Sequence, residues 1–462
     1  MQESRPVRSP SSGLRLPRMF RLLPPVACLL LLAVPQLRAV DNLTISSTTT
    51  YSTTQTVSAD NSITTSATVT VGSSADVTYT AGAHVSLGAG FSVASGGLFH
   101  VQVGQSLPYV VGFESADNFS TGSLGGQRGW IVAQGSADVT TSTYQAGARG
   151  VALNSGGTAA KVSQGFLESG SPSVTFIDLY FAPVAAGSAS ASTVIETESA
   201  RIGFQISGGQ GEIYSYDGVG SNTWVDSHAS FPINGSNQST NWLHLTIRED
   251  YTHHTWDLYL DGQLIDYDLA FSNTSEAFFR QLTINGVTAA TAYLDTLAVQ
   301  STNPLFTDAD KDGMPDSWET ANGLNTAADD RNSDHDSDGI TNIEEYFAGT
   351  AANNADTTNP TAATTLHATS TSASVTLSWT AGTDSGAGTS GVAGYNVYRN
   401  GAKVNSSLVT STTYTDSTVS PSTTYSYTVR TVDLAGNVST DASVSATTAA
   451  TGSFEVFTPL LL

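Results

Sequence analysis

Between Asp308 and Glu345 the chain twice sets acidic side chains at alternate positions around a glycine, as DADKDGMPDSWE (308–319) and DHDSDGITNIEE (334–345). In the first stretch Asp308, Asp310, Asp312 and Asp316 fall at positions one, three, five and nine, with Glu319 at twelve. The second repeats that order with Asp334, Asp336, Asp338, Asn342 and Glu345. Gly313 and Gly339 stand at position six, where the chain must turn sharply for alternate side chains to converge. Position seven contributes a main-chain carbonyl, so Met314 and Ile340 can be apolar there. A set made only of oxygen donors suits a hard divalent cation that takes six to eight of them, and Ca2+ is the expected ion. Without it the carboxylates repel one another, with Lys311 and Arg331 the nearest compensating charges in sequence. The segment is expected to be loose when empty and ordered when filled.

After each loop the pattern allows only a short helix, Asp316 to Ala321 and Asn342 to Ala348, stopped by Gly323 and Gly349. Trp318, Ile343, Tyr346 and Phe347 are the expected small shared core. With no long entering helices, the segment resembles thrombospondin type 3 and dockerin-like calcium repeats. That resemblance implies a structural ion rather than a sensor.

The first 39 residues read as a secretory signal peptide: Arg5, Arg8, Arg15, Arg18 and Arg21 precede an apolar run from Leu22 to Val34, and cleavage is expected after Ala39. Pro24, Pro25 and the short run argue against a retained membrane helix. The single cysteine, Cys28, would leave with that segment, so neither disulfides nor thiol chemistry would serve the mature chain. Removing 1–39 takes six arginines and one glutamate, leaving 11 basic and 39 acidic residues, a net charge of −28. So acidic a chain is a poor partner for nucleic acid or an anionic membrane.

Four β-rich or loop-built modules follow, and the fold class is mainly β. From 41 to 105, apolar pairs (Val69 and Val71, Val77 and Tyr79, Val85 and Leu87, Phe91 and Val93, Phe99 and Val101) start eight, eight, six and eight residues apart. Such a rhythm stacks short strands into a β-solenoid whose rungs bury the pairs. VTYTAGAHVSLGAGFSVASGGLFHV (77–101) is similar to a triangular repeat module of exported bacterial surface proteins.

Residues 108–300 alternate as a β-sandwich, with strands expected at 174–181, 201–206, 212–216, 242–247, 256–260, 281–284 and 293–299. In WDLYLDGQLIDY (256–267), Asp261-Gly262 is the two-residue turn of a hairpin. FES (113–115), GQRGW (126–130), that hairpin and AYLDTLAV (292–299) together resemble a concanavalin A-like, laminin-G-like jelly roll. Catalytic members of that fold carry paired carboxylates on one strand. The nearest candidate here is Glu196-Thr197-Glu198, whose alternation would aim both acids one way but which lacks a third acid and flanking aromatics. No catalytic residue is assigned. Trp130, Tyr214, Tyr216 and Trp224 are the aromatic candidates for stacking on a sugar. His253 and His254 are expected in a turn beside Asp250 and Tyr251, and His228 and His244 are read as isolated.

The calcium module spans 305–350 and a polar linker 351–360. SVTLSWTAGTD (374–384), GYNVYRNGAKV (394–404), TTYTD (412–416), SPSTTYSYTVRTVD (420–433) and AGNVS (435–439) then resemble a fibronectin type III domain over 361–448. Trp379 would fill its core and Tyr425 its tyrosine corner. A short apolar tail, 449–462, is too brief to cross a bilayer. The expected whole is a secreted or cell-surface, non-catalytic calcium-binding protein for adhesion or carbohydrate binding, with a glycan or surface protein as ligand. The alternatives are an extracellular polysaccharide-degrading enzyme or its accessory subunit, and a purely structural surface protein. No nucleic-acid partner and no membrane insertion are expected.

Overall fold

The computed structural model describes residues 40–450, apart from Ala83, 168–171 and 386–388. The signal peptide expected over 1–39 and residues 451–462 of the tail lie outside the described residues. The chain is mainly β, with two short helices, and divides into two compact units that meet between Gly313 and Met314. Among the described residues no helix is long and apolar enough to cross a membrane.

The first unit opens with stacked parallel strands. Val69 lies opposite Phe91 and Asp76 opposite Leu98, each partner 22 residues further along. Gln55 pairs with Val77 and Ser62 with His84 at the same offset, so the short strands stack as parallel ladders. Tyr51, Ile63, Val69, Val71, Val77, Tyr79 and Ala81 fill its interior. Tyr79 packs edge-on against Tyr51, Phe91 and Phe99, and its hydroxyl lies 3.1 Å from that of Tyr51. The expected apolar pairs are not all buried. Leu87, Val93 and Val101 are exposed, because a stacked strand is covered only by its neighbour and these stand in the last strands of their ladders.

Two antiparallel sheets, of nine and seven strands, then pack face to face. Every strand expected from alternation is present with ends moved by one to three residues, for example Val174–Ala182, Leu243–Asp250 and Ala292–Gln300. Ile177, opposite Ile247 and Val299, together with Leu179, Phe181, Leu245, Trp130 and Trp256, builds one core. Each such side chain contributes about 1.5–3 kcal/mol by leaving water. At Asp261 and Gly262 φ is 50° and 77°, the positive pair that the hairpin turn demands.

In the second unit, α1 (Asp316–Asn322) and α2 (Asn342–Ala348) each end on a left-handed glycine, Gly323 and Gly349, both with φ of 76°. Thr341 and Glu344 close a capping box at the start of α2. Trp318 meets Tyr346 edge-on at 5.3 Å, and Ile343 is fully buried. Sheets of three and four strands then form the C-terminal sandwich. Trp379 packs on Tyr395 in its core. The Tyr425 hydroxyl accepts the Ser420 backbone N–H at 2.8 Å, tying strand to preceding loop as a tyrosine corner does. The segment 351–360 is more than a spacer: Asp356 is buried and takes hydrogen bonds from Ser390 at 2.8 and 2.7 Å.

Candidate functional site

The first acidic loop brings Asp308, Asp310 and Asp312 together, one carboxylate oxygen from each within 4.8 Å of the others. Asp312 and Asp308 are buried, and burial raises the Asp308 carboxyl. Gly313 has φ of 94° and donates its N–H to Asp308 Oδ2 at 3.2 Å, so the glycine at position six bends the chain back on position one. Of the remaining positions, Met314 is buried, Asp316 opens α1, and Glu319 lies buried on its first turn.

The second loop behaves alike. Asp334, Asp336 and Asp338 cluster within the same 4.8 Å, and Gly339, with φ of 96°, donates to Asp334 Oδ2 at 2.9 Å. Asn342 and Glu345, at positions nine and twelve, are buried on α2, and Ile340 at position seven is buried too. Glu345 Oε2 and Asn342 Oδ1 have no hydrogen-bond donor. Burial and then the charges of Asp336, Asp338 and Asp334 push the Glu345 carboxyl up to about 8. Buried, donor-free oxygens that face like charges carry a desolvation cost. Sequence reasoning missed Asp330, which receives the Asn342 side-chain amide on its backbone carbonyl at 2.8 Å and so aims the Asn342 oxygen the other way.

A second candidate surface lies on the seven-stranded sheet. On its face away from the core, one transverse row crosses every strand: Ile131 lies opposite Ser163, Ser163 opposite Thr283, Thr283 opposite Glu196, and Glu196 opposite Arg201. Tyr216 lies opposite Trp224 on the remaining two strands. The intervening Val162, Leu282, Ile195 and Ile202 point into the core, which sends this row outward. Arg201 pairs with Glu196 at 3.5 Å and stands 5.2 and 5.6 Å from the ring centres of Tyr216 and Trp224. Beside the row is a cleft of about 370 Å³, lined among others by Ser190, Ser192, Glu196, Arg201 and Asn285.

Other sequence candidates fall elsewhere. Trp130 is core, its indole N–H donating to the Tyr109 hydroxyl at 3.2 Å, so it is closed to a ligand. Tyr214 is half-buried on the outer face. Glu196 and Glu198 do not share a strand face, because the strand ends at Glu196 and the chain turns. Glu198 instead receives the Gln281 N–H at 3.2 Å. His253, in its turn, pairs with Asp250 at 2.8 Å. His244 is not isolated: it meets Asp178 at 2.8 Å and stacks on Tyr180 at 4.4 Å. His228 pairs with Asp226 at 3.5 Å.

Between the sheets, Glu249 is fully buried and accepts the hydroxyls of Thr197 and Tyr251. Burial pushes its carboxyl up to about 7, and Glu198 adds to the rise. A carboxyl raised on folding stabilises the fold fully below its unfolded pKa and loses that contribution as pH climbs through about 7. The stability difference between wild type and Glu249→Gln is therefore expected to move by about 3 kcal/mol between pH 4.5 and 8. Guanidinium unfolding at the two pH values measures it, and a difference independent of pH would refute the neutral, buried acid.

A family model described as the rhamnogalacturonan I lyase β-sheet domain matches residues 363–447, the C-terminal sandwich. The chain is 47% identical over 100 residues to exoglucanase B of Cellulomonas fimi, covering 21% of this chain and 9% of that protein. It is 48% identical over 91 residues to chitinase A1 of Niallia circulans, covering 20% and 12%. The chain thus spans about a tenth of the length of these relatives. Among solved structures, a fibronectin-type-III-like protein of Clostridium thermocellum is 26% identical, with a TM-score of 0.17, over 21% of this chain and 100% of that one. The C-terminal sandwich is a fibronectin type III-like β-sheet domain.

Proposed function

We propose that this is a secreted, non-catalytic accessory protein that binds polysaccharide through the outer face of its seven-stranded sheet, while Ca2+ stiffens the 305–350 segment. The observation that carries the binding reading is the row of Glu196, Arg201, Tyr216 and Trp224. A half-exposed aromatic pair offers ring faces to the apolar face of a sugar, and a carboxylate paired with a guanidinium offers fixed acceptors and donors to its hydroxyls. The row runs straight across seven strands, which suits an extended chain rather than a single small molecule. The residues of both acidic loops fit a calcium ion by donor type: every side-chain ligand is oxygen, and buried oxygens of Asn342 and Glu345 lack donors. The likeness to segments of an exoglucanase and a chitinase supports a polysaccharide setting.

Titration of the purified protein with soluble arabinan, xylan, β-glucan and rhamnogalacturonan tests this reading. Binding to at least one is expected, with Trp224→Ala and Arg201→Ala each weakening it about tenfold or more while the unfolding midpoint stays within a few degrees. Affinity for none of them, or release of reducing sugar that Glu196→Gln abolishes, would overturn it. The second outcome would establish a glycosidase instead.

A further inference from the structure

The sandwich of the second unit holds a third acidic constellation that the loop pattern does not include. Asp356 comes from the 351–360 segment, Asp384 from the loop after strand Val375–Thr380, and Asp433 from the last position of strand Thr424–Asp433. One carboxylate oxygen from each lies within 4.8 Å of the others. These residues are 28 and 49 positions apart, so no local motif announces them. The fold gathers them deliberately. Ser390 donates its N–H and hydroxyl to Asp356 Oδ2, Thr358 its N–H to Asp356 Oδ1, and Gly391 its N–H to Asp384 Oδ2, at 2.7 to 2.8 Å.

Asp433 makes this more than a cluster of surface acids. It is 1% exposed, and its Oδ1 accepts the Asn437 backbone N–H at 2.6 Å while its Oδ2 has no donor. The nearby Asn437 side-chain amide donates to the Asp356 carbonyl at 2.9 Å, and its side-chain and backbone N–H groups partly offset the rise that burial imposes on the Asp433 carboxyl. Among the described residues no lysine, arginine or histidine lies within ion-pairing distance of any of the three carboxylates. Burial, and then the charges of Asp356 and Asp384, push the Asp433 carboxyl up. Three converging carboxylates with a buried, donor-free oxygen and no countercharge are strongly unfavourable unless a cation sits among them.

We infer that Asp356, Asp384 and Asp433 form a third calcium site, independent of the tandem loops, that clamps the 351–360 segment onto the fibronectin-like sandwich. All donors are oxygen and come from loops and a strand end in irregular array, which favours Ca2+ over the stricter octahedron of Mg2+. The Asp356 backbone N–H also donates to Asp338 Oδ2 of the second acidic loop at 3.0 Å. Filling the third site therefore fixes the residue that anchors that loop, and the two are mechanically coupled through one residue.

Equilibrium dialysis of the full protein against calcium, with bound metal counted by elemental analysis, decides the matter. Wild type is expected to hold three ions per chain and Asp433→Asn two; Asp384→Asn, at a partly exposed position, gives the same loss if the first variant folds poorly. Should the tandem loops themselves fail to bind, the counts become one and none, so the difference of one ion reports this site alone. In chelator Asp433→Asn is expected to unfold no lower than wild type, because it removes a repelled charge; in calcium the order reverses. Equal ion counts in wild type and both variants would overturn the site, as would an Asp433→Asn sandwich that gains as much from calcium as wild type.

Discussion

Withdrawing calcium is expected to make 306–349 the first stretch of the folded protein to be cut by trypsin, at Lys311 and Arg331. Both sit inside the acidic segment, and Arg331 is buried in the ordered state, so cleavage there reports opening. Extracellular calcium modules bind at about 10⁻⁴ to 10⁻³ M. At a hundredfold excess over Kd, an ion that binds only the ordered form stabilises it by about 2.7 kcal/mol, a factor of about 100 in the open population. Where opening is fast relative to cutting, cleavage follows that population, so chelation speeds it by about 10² for each site lost. Asp312→Asn and Asp336→Asn each remove one ligand from a different loop and each reproduce part of the effect in the presence of calcium. Because Glu345 is pushed up to about 8 by burial and by Asp336, Asp338 and Asp334, proton and metal compete for the second site. Calcium protection there strengthens as pH rises towards and past that value. Equal trypsin rates with and without chelator would remove the calcium reading of both loops.

The other large effect is expected at Arg248. Its guanidinium is 1% exposed and pairs with Asp250 and Asp257 at 3.1 Å each, while its Nε donates to the Lys311 carbonyl at 2.7 Å. Burial by itself raises the Asp250 carboxyl, but Arg248 and the His253 hydrogen bonds carry it below the usual carboxylate range. Arg248→Ala leaves two buried carboxylates uncompensated, at a cost of about 3–5 kcal/mol to the nine- and seven-stranded sandwich. Arg248→Lys recovers only part of this, since an ammonium lacks the planar fork that spans both acids and the carbonyl. Replacing the triad together, as Arg248→Met with Asp250→Asn and Asp257→Asn, is expected to restore much of the loss. Guanidinium denaturation of the purified variants supplies the numbers; an Arg248→Ala protein within about 1 kcal/mol of wild type would show that the triad contributes little.

The clustering of the acidic loops was legible because their carboxylates are close in sequence. A glycine at position six and acids at alternate positions converge whatever the rest of the chain does, and α1 and α2 end where Gly323 and Gly349 stop them. The hairpin at 256–267 was legible for the same reason, its turn being decided by Asp261-Gly262. The short stacked strands of 40–103 are marked by apolar pairs, but the offset of 22 residues between partners appears only in the parallel ladders. Apolar pairs mark strands without marking which rung covers them, and so Leu87, Val93 and Val101 were wrongly expected inside.

What the amino-acid order alone determined, then, is whatever depends on neighbours within about a dozen residues: donor sets of the loops, helix stops, the hairpin turn and the mainly β character. Tertiary structure decided everything that needs register between distant strands. Glu196, Arg201, Tyr216 and Trp224 become one surface only because antiparallel pairing sets them side by side, while Trp130, chemically as good a candidate, turns inward. Asp356, Asp384 and Asp433 meet only after the sandwich has closed. Side-chain direction alternates every residue along a strand, so a one-residue change of register would scatter either group, and no local pattern records which register wins.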